Sequence, residues 1–476
     1  MTKTMAKSRM GLLLLTSARF EKLGEGTQKG TYDERKTLEA EKIVSEFSEF
    51  SDVVYPGLCY NADNAKKYTE IFKRENVDLV TVIFLSWSED TAFIYALSEI
   101  TDLPVFYGSI VRDDINYRDT LDENDFVDFL SYGSVVGFLE GSGSLRRFSP
   151  DACEIFCGKM EELKKKVKTF ATAARVKSAL KNSVVSLLSH YNETMWATYV
   201  DPYNIFKTFG AELHFLSITD LIALNDRTDD GEVSEITARL SEKYKVADDV
   251  DYEKFHASVK ASLAMERLAE SVNTDLLVLN DIEKPLLENI GLRPGFSPVY
   301  SDTKLTVVPE GDIGAGLAVY ILKLISDGHV NFIEPFYIDG KRGVFAAGHA
   351  GPNDYTECPE NVIIGRDTRF AKSSYKHAGA PFAWYVFPKG LKTILHMSEC
   401  NGKLKMAFST VECLETKHYL ASYSHADFKH THMKNEEFFT ELAKFGVTQH
   451  YAIVDGDYTK ELEAFAKLYG FEYINL

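Results

Sequence analysis

Four residues in the last third of the chain have types and settings suited to chemistry: Glu310, Glu334, His349 and His450. They sit in Val-Pro-Glu310-Gly-Asp, Phe-Ile-Glu334-Pro-Phe, Ala-Gly-His349-Ala-Gly-Pro-Asn-Asp and Thr-Gln-His450-Tyr-Ala-Ile-Val-Asp-Gly-Asp. Two carboxylates and two imidazoles make a ligand set for a divalent ion such as Mn²⁺, which accepts both oxygen and nitrogen donors. A carboxylate pair beside such an ion can also serve as general acid and base. The combination points to metal-assisted proton transfer on a small polar substrate.

The flanking residues indicate how each is presented. Glu310 follows Leu305-Thr-Val-Val308 and precedes Gly-Asp and then Gly-Ala-Gly, which predicts a strand end leading into a helix over 317–325. Glu334 lies among apolar and aromatic neighbours, where a carboxylate is costly unless it is paired or bound to a cation. Desolvation there would raise a carboxyl toward the range useful for a base. His349 is expected in a bare loop that leaves its imidazole accessible. His450 is expected to open a strand that closes at Asp455-Gly456-Asp457. Any one of these residues has an ordinary structural reading; the set carries the argument. His425, His430 and His432 cluster more tightly, and spacing leaves His430-x-His432 open as a metal pair. The stretch around them is read as a polar loop near the site mouth.

The elements that must position these groups follow from periodicity. Apolar runs at 10–15, 53–55, 79–85 and 104–107 alternate with amphipathic segments at 34–50, 65–74 and 90–100. Fully apolar strands separated by such helices predict a parallel sheet covered on both faces. A long helix is expected over 151–181, its basic patch (Lys164, Lys165, Lys166, Lys168) a solvated face. Cys153 and Cys157 would share one side of that helix, and the Gly141-Ser-Gly-Ser-Leu-Arg146-Arg147 stretch reads as a turn. Strands at 184–188, 213–218 and 276–279, with helices at 203–209 and 252–272, form a second α/β unit. After Asn331, short strands at 362–364, 384–387, 392–397 and 403–409 predict a small antiparallel sheet or barrel. The expected fold is therefore α/β: two open Rossmann-like (flavodoxin-like) domains, 1–170 and 171–328, then a C-terminal antiparallel β-barrel-like domain over 329–476. Glu310 falls in the second domain, and Glu334, His349 and His450 in the third.

Strand ends are where ligand contacts belong in such sheets. The first strand runs out into Thr-Ser-Ala-Arg19-Phe and the third into Leu-Ser86-Trp87-Ser. Arg19 and Trp87 are accordingly candidate substrate contacts.

The bulk numbers narrow the class. The 476 residues carry 45% hydrophobic and 12% aromatic residues, enough for real cores. A formal charge of −18 argues against nucleic acid and anionic membranes as partners. The six cysteines show no framework spacing and are read as reduced thiols in a cytoplasmic protein. Lys3, Lys7 and Arg9 precede Gly-Leu-Leu-Leu-Leu, but that run is shorter than a signal-peptide core and reads as a buried strand.

Three motifs carry a family resemblance: Val-Pro-Glu310-Gly-Asp, Phe-Ile-Glu334-Pro-Phe, and the ending over 445–474 with Gly446-Val-Thr-Gln-His450-Tyr-Ala-Ile-Val-Asp-Gly-Asp. On them the chain resembles the L-arabinose isomerase and L-fucose isomerase superfamily, most strongly from Glu310 onward. The resemblance implies an Mn²⁺-dependent aldose–ketose isomerase, with Co²⁺ or Mg²⁺ as other possible ions. Glu310, Glu334, His349 and His450 would hold the metal. Glu310 and Glu334 would double as acid and base through an enediol, their individual roles left open. It also implies a homo-oligomer, such as a hexamer, with sites near subunit interfaces. L-Arabinose, L-fucose or a related aldose is the first expectation. An anionic sugar such as sulfoquinovose is the alternative, which Arg19 would suit because guanidinium pairs well with oxyanions. A non-catalytic sugar-binding regulator is the alternative of another class, and it would leave the paired carboxylates without a task.

Overall fold

A computed structural model describes residues 7–113, 115, 121–148, 150, 152–290, 293–300 and 305–476. Lys3 and Asp151 lie outside the described residues. The chain forms two compact units, 1–178 with 464–470 and 179–463 with 471–476.

In the first unit six strands form one parallel sheet: β1 (Ser8–Leu15), β2 (Ser51–Val54), β3 (Leu58–Cys59), β4 (Leu79–Phe84), β5 (Val105–Val111) and β6 (Cys153–Lys159). The order is β2-β1-β4-β5-β6, with β3 also pairing with β1. Leu12 to Leu15 and every residue of β4 are buried, as strands covered on both faces must be. The helix Tyr32–Ser48 starts where its sequence says it should. Thr31 accepts from the Glu34 amide while Glu34 returns to the Thr31 amide, a complete capping box.

Two expectations fail in this unit. Residues 153–159 extend the sheet as β6, in parallel register with β5, and the helix begins only at Met160. Cys153 and Cys157 therefore sit on a strand, because pairing with β5 outweighs the weak helical pattern. Residues around Gly141 lie inside the helix Ser134–Phe148, not in a turn. The glycine serves close packing: a Cβ there would stand 2.5 Å from Tyr107 Oη and 2.7 Å from Phe84 Cζ.

The second unit contains both remaining layers. Its parallel sheet is β7 (Val184–Leu188), β8 (Glu212–Leu216), β10 (Leu276–Leu279) and β11 (Thr306–Val308), ordered β11-β10-β7-β8. Strand order reverses between β7 and β10, and in sheets of this kind ligands bind beyond the carboxyl ends of the strands at such a point. The other layer is built from β12 (Asn331–Asp339), β13 (Val344–His349), β16 (Gly390–Cys400), β17 (Lys403–Cys413), β18 (Ser424–His430) and β19 (Tyr451–Asp455). These pair antiparallel in the order β16-β19-β12-β13-β18-β17, and β17 returns to β16, closing a six-stranded barrel. Closure removes the unpaired edges that an open sheet would expose. The last strand, β20 (Glu472–Asn475), adds in parallel to β17. The predicted strands near 363 and 384 do not join the barrel; β14 (Ile363–Arg366) and β15 (Pro381–Trp384) form a separate small sheet with β9 (Lys245–Val246).

One helix links the layers. Ile313–Ser326 packs on β10 and β11 and also on β16 and β19. A helix apolar on every side must be buried on every side. Its two glycines set the spacing: a Cβ on Gly314 would stand 2.6 Å from the Met397 carbonyl of β16, and one on Gly316 2.9 Å from Val278 of β10. Among the described residues no helix is long and apolar enough to cross a membrane.

Candidate metal centre

Glu310 occupies the turn between β11 and this helix, in a left-handed backbone conformation (φ +65°) that a non-glycine residue rarely adopts. Strain of this kind persists only where surrounding structure fixes it. The Glu310 amide donates to Asp281 Oδ1 at 3.0 Å. Asp281 is fully buried and paired with the buried Arg293 guanidinium, whose Nε donates to Asp281 Oδ2 at 2.5 Å and whose Nη2 donates to the Ala350 carbonyl at 3.4 Å. Arg293 Nη2 also stands 4.0 Å from Glu310 Oε1. The turn is thus pinned by a buried ion pair contributed by a different loop.

Both histidines converge on that carboxylate. His349 Nε2 lies 3.4 Å from Oε1, and His450 Nε2 lies 3.3 Å from Oε2. His349 is the last residue of β13 and only 2% exposed, so the expectation of an accessible loop imidazole is corrected. Pairing with β18 carries the strand through His349, opposite Ser424. His450 directly precedes β19 and is completely buried. Phe332 of β12 packs against both rings, at 4.7 Å from His349 and 4.6 Å from His450. His450 Nδ1 donates to Asp312 Oδ2 at 2.9 Å, which leaves Nε2 to face Glu310.

The electrostatics follow from this packing. Burial alone would raise the Glu310 carboxyl, but the facing His349 and His450 imidazoles and the Arg293 charge outweigh it and hold the group well below the usual carboxylate range. Burial alone would lower His450. Its contacts with Asp312 and Glu310 prevail and push it up to about 9.

Glu310, His349 and His450 offer ligand atoms that all lie within 4.8 Å of one another. His349 Nδ1 and His450 Nε2 are buried and make no hydrogen bond. Buried polar atoms are rarely left so, and a cation is a fitting partner for His450 Nε2, an unpaired imidazole nitrogen beside a carboxylate. The group could hold a metal ion, and the mixed nitrogen and oxygen donors do not select which one. Asp312 has the position of an outer carboxylate that orients a ligating histidine.

Glu334 is not part of this group. It lies on β12 two residues after Phe332, so its side chain leaves the same face of the strand, half-buried, opposite Gly348. Arg19 and Trp87 belong to the first unit, where they meet at the ends of β1 and β4 with the guanidinium 5.7 Å from the indole centroid. Arg19 Nε donates to Glu89 at 2.8 Å and Trp87 Nε1 to Glu140 at 3.0 Å. The stretch holding His425 and His430 is strand β18 of the barrel, not a loop, and both residues are buried. His425 Nδ1 donates to the Tyr423 carbonyl at 2.8 Å and His430 Nε2 bonds Ser409 Oγ at 2.8 Å, so ordinary partners account for both.

Sequence reasoning missed Asp281, Arg293, Asp312 and Phe332. Asp312 left a readable signal, an aspartate at the start of an apolar helix. Asp281 and Arg293 left none, because nothing local relates either residue to Glu310. No family model matches the chain, and no curated protein is significantly similar to it.

Proposed function

We propose that the protein is a metal-dependent aldose–ketose isomerase acting on a free sugar. The observation that carries the reading is the buried convergence of Glu310, His349 and His450, with Asp312 behind His450, beside the carboxyl ends of a parallel sheet. Glu310, His349 and His450 would hold a divalent ion such as Mn²⁺. That ion would supply Lewis-acid polarisation of a carbonyl and its neighbouring hydroxyl.

The chain's own groups account for the rest of the chemistry. Isomerisation removes the C2 proton of the open-chain aldose, passes through an enediol and returns a proton to C1, while a hydroxyl proton moves from O2 to O1. A carboxylate is a suitable carrier for each transfer. Glu310 faces two imidazoles and a guanidinium, which favours its ionised form and a role as ligand. Glu334, outside that group but on the same strand face as Phe332, is the carboxylate left to move a proton. Phe332 and the barrel wall keep water from the two imidazoles, which strengthens their electrostatic contacts.

The test is direct. The protein is incubated with Mn²⁺ and a panel of aldoses that includes L-arabinose, L-fucose and a sulfonated hexose, and ketose formation is followed by NMR. At least one aldose is expected to convert. Protein that holds Mn²⁺ and forms no ketose from any aldose overturns the reading.

A further inference from the structure

We infer that the switch point of the second unit's parallel sheet recognises the distal hydroxyls of an extended polyhydroxyl chain, through His190 and Glu283. This rests on the isomerase reading and names how the far end of its substrate is held. Strand order reverses between β7 and β10, and β10 is the direct neighbour of β11, which presents Glu310. Adjacent strands are about 4.8 Å apart, so the ends of β11 and β7 are roughly 10 Å apart. With carbon–carbon bonds of about 1.5 Å, an extended six-carbon chain reaches most of that way.

The polar groups along this line are arranged for such a guest. Asn192 and Asn280 flank Gly311, the residue after Glu310: a Cβ at Gly311 would stand 2.9 Å from the Asn192 amide nitrogen and 3.5 Å from Asn280 Cβ. Both asparagines are 1% exposed, and Asn192 Nδ2, a donor, and Asn280 Oδ1, an acceptor, make no hydrogen bond within the chain. Hydroxyls both donate and accept, so one class of ligand suits both. Beyond them, Glu283 precedes the helix Lys284–Asn289 yet makes no capping bond with its side chain. Its carboxylate turns to Ser189, which donates to Oε2, and to His190, whose Nε2 is 3.2 Å from Oε1. His190 Nδ1 donates to the Tyr191 carbonyl at 2.6 Å, fixing the ring, while half of the side chain remains exposed to a ligand.

The experiment measures binding of alditols, which cannot isomerise, by calorimetry on Mn²⁺-loaded protein. Erythritol is the short probe, and a set of six-carbon alditols forms the long one. His190→Ala and Glu283→Gln are each expected to weaken the best six-carbon ligand about tenfold, the loss of one good hydrogen bond, and to leave erythritol unchanged. Equal weakening of both lengths, no weakening of either, or wild-type protein that binds no alditol overturns the inference. Wild-type protein that binds the long alditol but forms no ketose from any aldose of the panel removes the isomerase reading and leaves the hydroxyl track standing.

Discussion

The carboxylate of Asp312 serves His450 and a helix at once. Oδ2 accepts from His450 Nδ1 at 2.9 Å, and Oδ1 accepts from the Ala315 amide at 2.9 Å, capping Ile313–Ser326. Because that helix is packed between the parallel sheet and the barrel, the orientation of the imidazole is tied to the seam between the two layers. Its Nε2 is thereby turned toward Glu310.

Asp312→Asn separates the two tasks. Asparagine caps helices about as well as aspartate, so the melting temperature should move little. The bond to His450 becomes neutral and weaker, and Mn²⁺ affinity should fall about 10- to 100-fold, as for other outer-shell partners. Asp312→Ala should add a stability loss of about 1 kcal/mol from the missing cap. Calorimetric Mn²⁺ titrations beside thermal melts check both. Unaltered affinity in both variants would reduce Asp312 to a cap.

The metal-free protein should show a pH window set by His450 and Glu310. His450 is raised from 6.5 to about 9, so its contribution to stability is whole below 6.5 and is lost as pH rises through about 9. Glu310 is held below its ordinary 4.5, so its contribution is whole above 4.5 and is lost as pH falls further. Urea midpoints measured across pH should therefore decline on the alkaline side, and His450→Gln should flatten that limb. A cation competes with the proton on His450, so Mn²⁺ uptake should release protons and tighten as pH rises toward 9. Titrations in two buffers of different ionisation enthalpy read the proton count.

Glu310→Gln and Glu334→Gln should each abolish isomerisation while leaving the fold intact, but by different routes. Glu310→Gln removes the only carboxylate of the converging group and should lose bound Mn²⁺. Glu334→Gln should retain it, with kcat reduced about 100-fold or more, the range for loss of an acid–base group. Near-normal turnover in both variants would sink the assignment.

Arg293 should matter for stability as well as for the site. Arg293→Met leaves Asp281 charged and buried without its partner, and breaking such a pair costs about 3–5 kcal/mol. Asp281, which accepts from the Glu310 amide, is then no longer held in place by the guanidinium, so Mn²⁺ affinity should fall together with the denaturation midpoint. A melting temperature within a degree or two of the parent would show that the pair is dispensable.

Much of the architecture was legible in the chain because it rests on local pattern. Apolar runs such as Leu12 to Leu15 and Leu276 to Leu279 announce strands covered on both faces, and the intervening amphipathic segments announce the helices. The change after Asn331 announces antiparallel strands. Local pattern misled where a long-range contact decided the outcome. Gly141 resembles a turn residue until Tyr107 and Phe84 are seen against it, and Cys153 to Lys159 become strand through pairing with β5.

For the site, the sequence by itself determined the residue types: a glutamate at a strand end before a glycine-rich helix, one histidine among glycine and alanine, and another opening a strand. Only the tertiary structure decided which of them meet. Glu310, His349 and His450 are brought together because a parallel sheet and a closed barrel share one buried helix, and Glu334 is left outside that group. His349 and His450 are 101 positions apart in sequence (450 − 349), so no local propensity encodes their approach. It comes from strand pairing of β12 with both β13 and β19, which sets Phe332 against the two rings. The Asp281–Arg293 pair that fixes Glu310 is likewise a consequence of packing, since two charges can be buried only where the fold supplies each with the other.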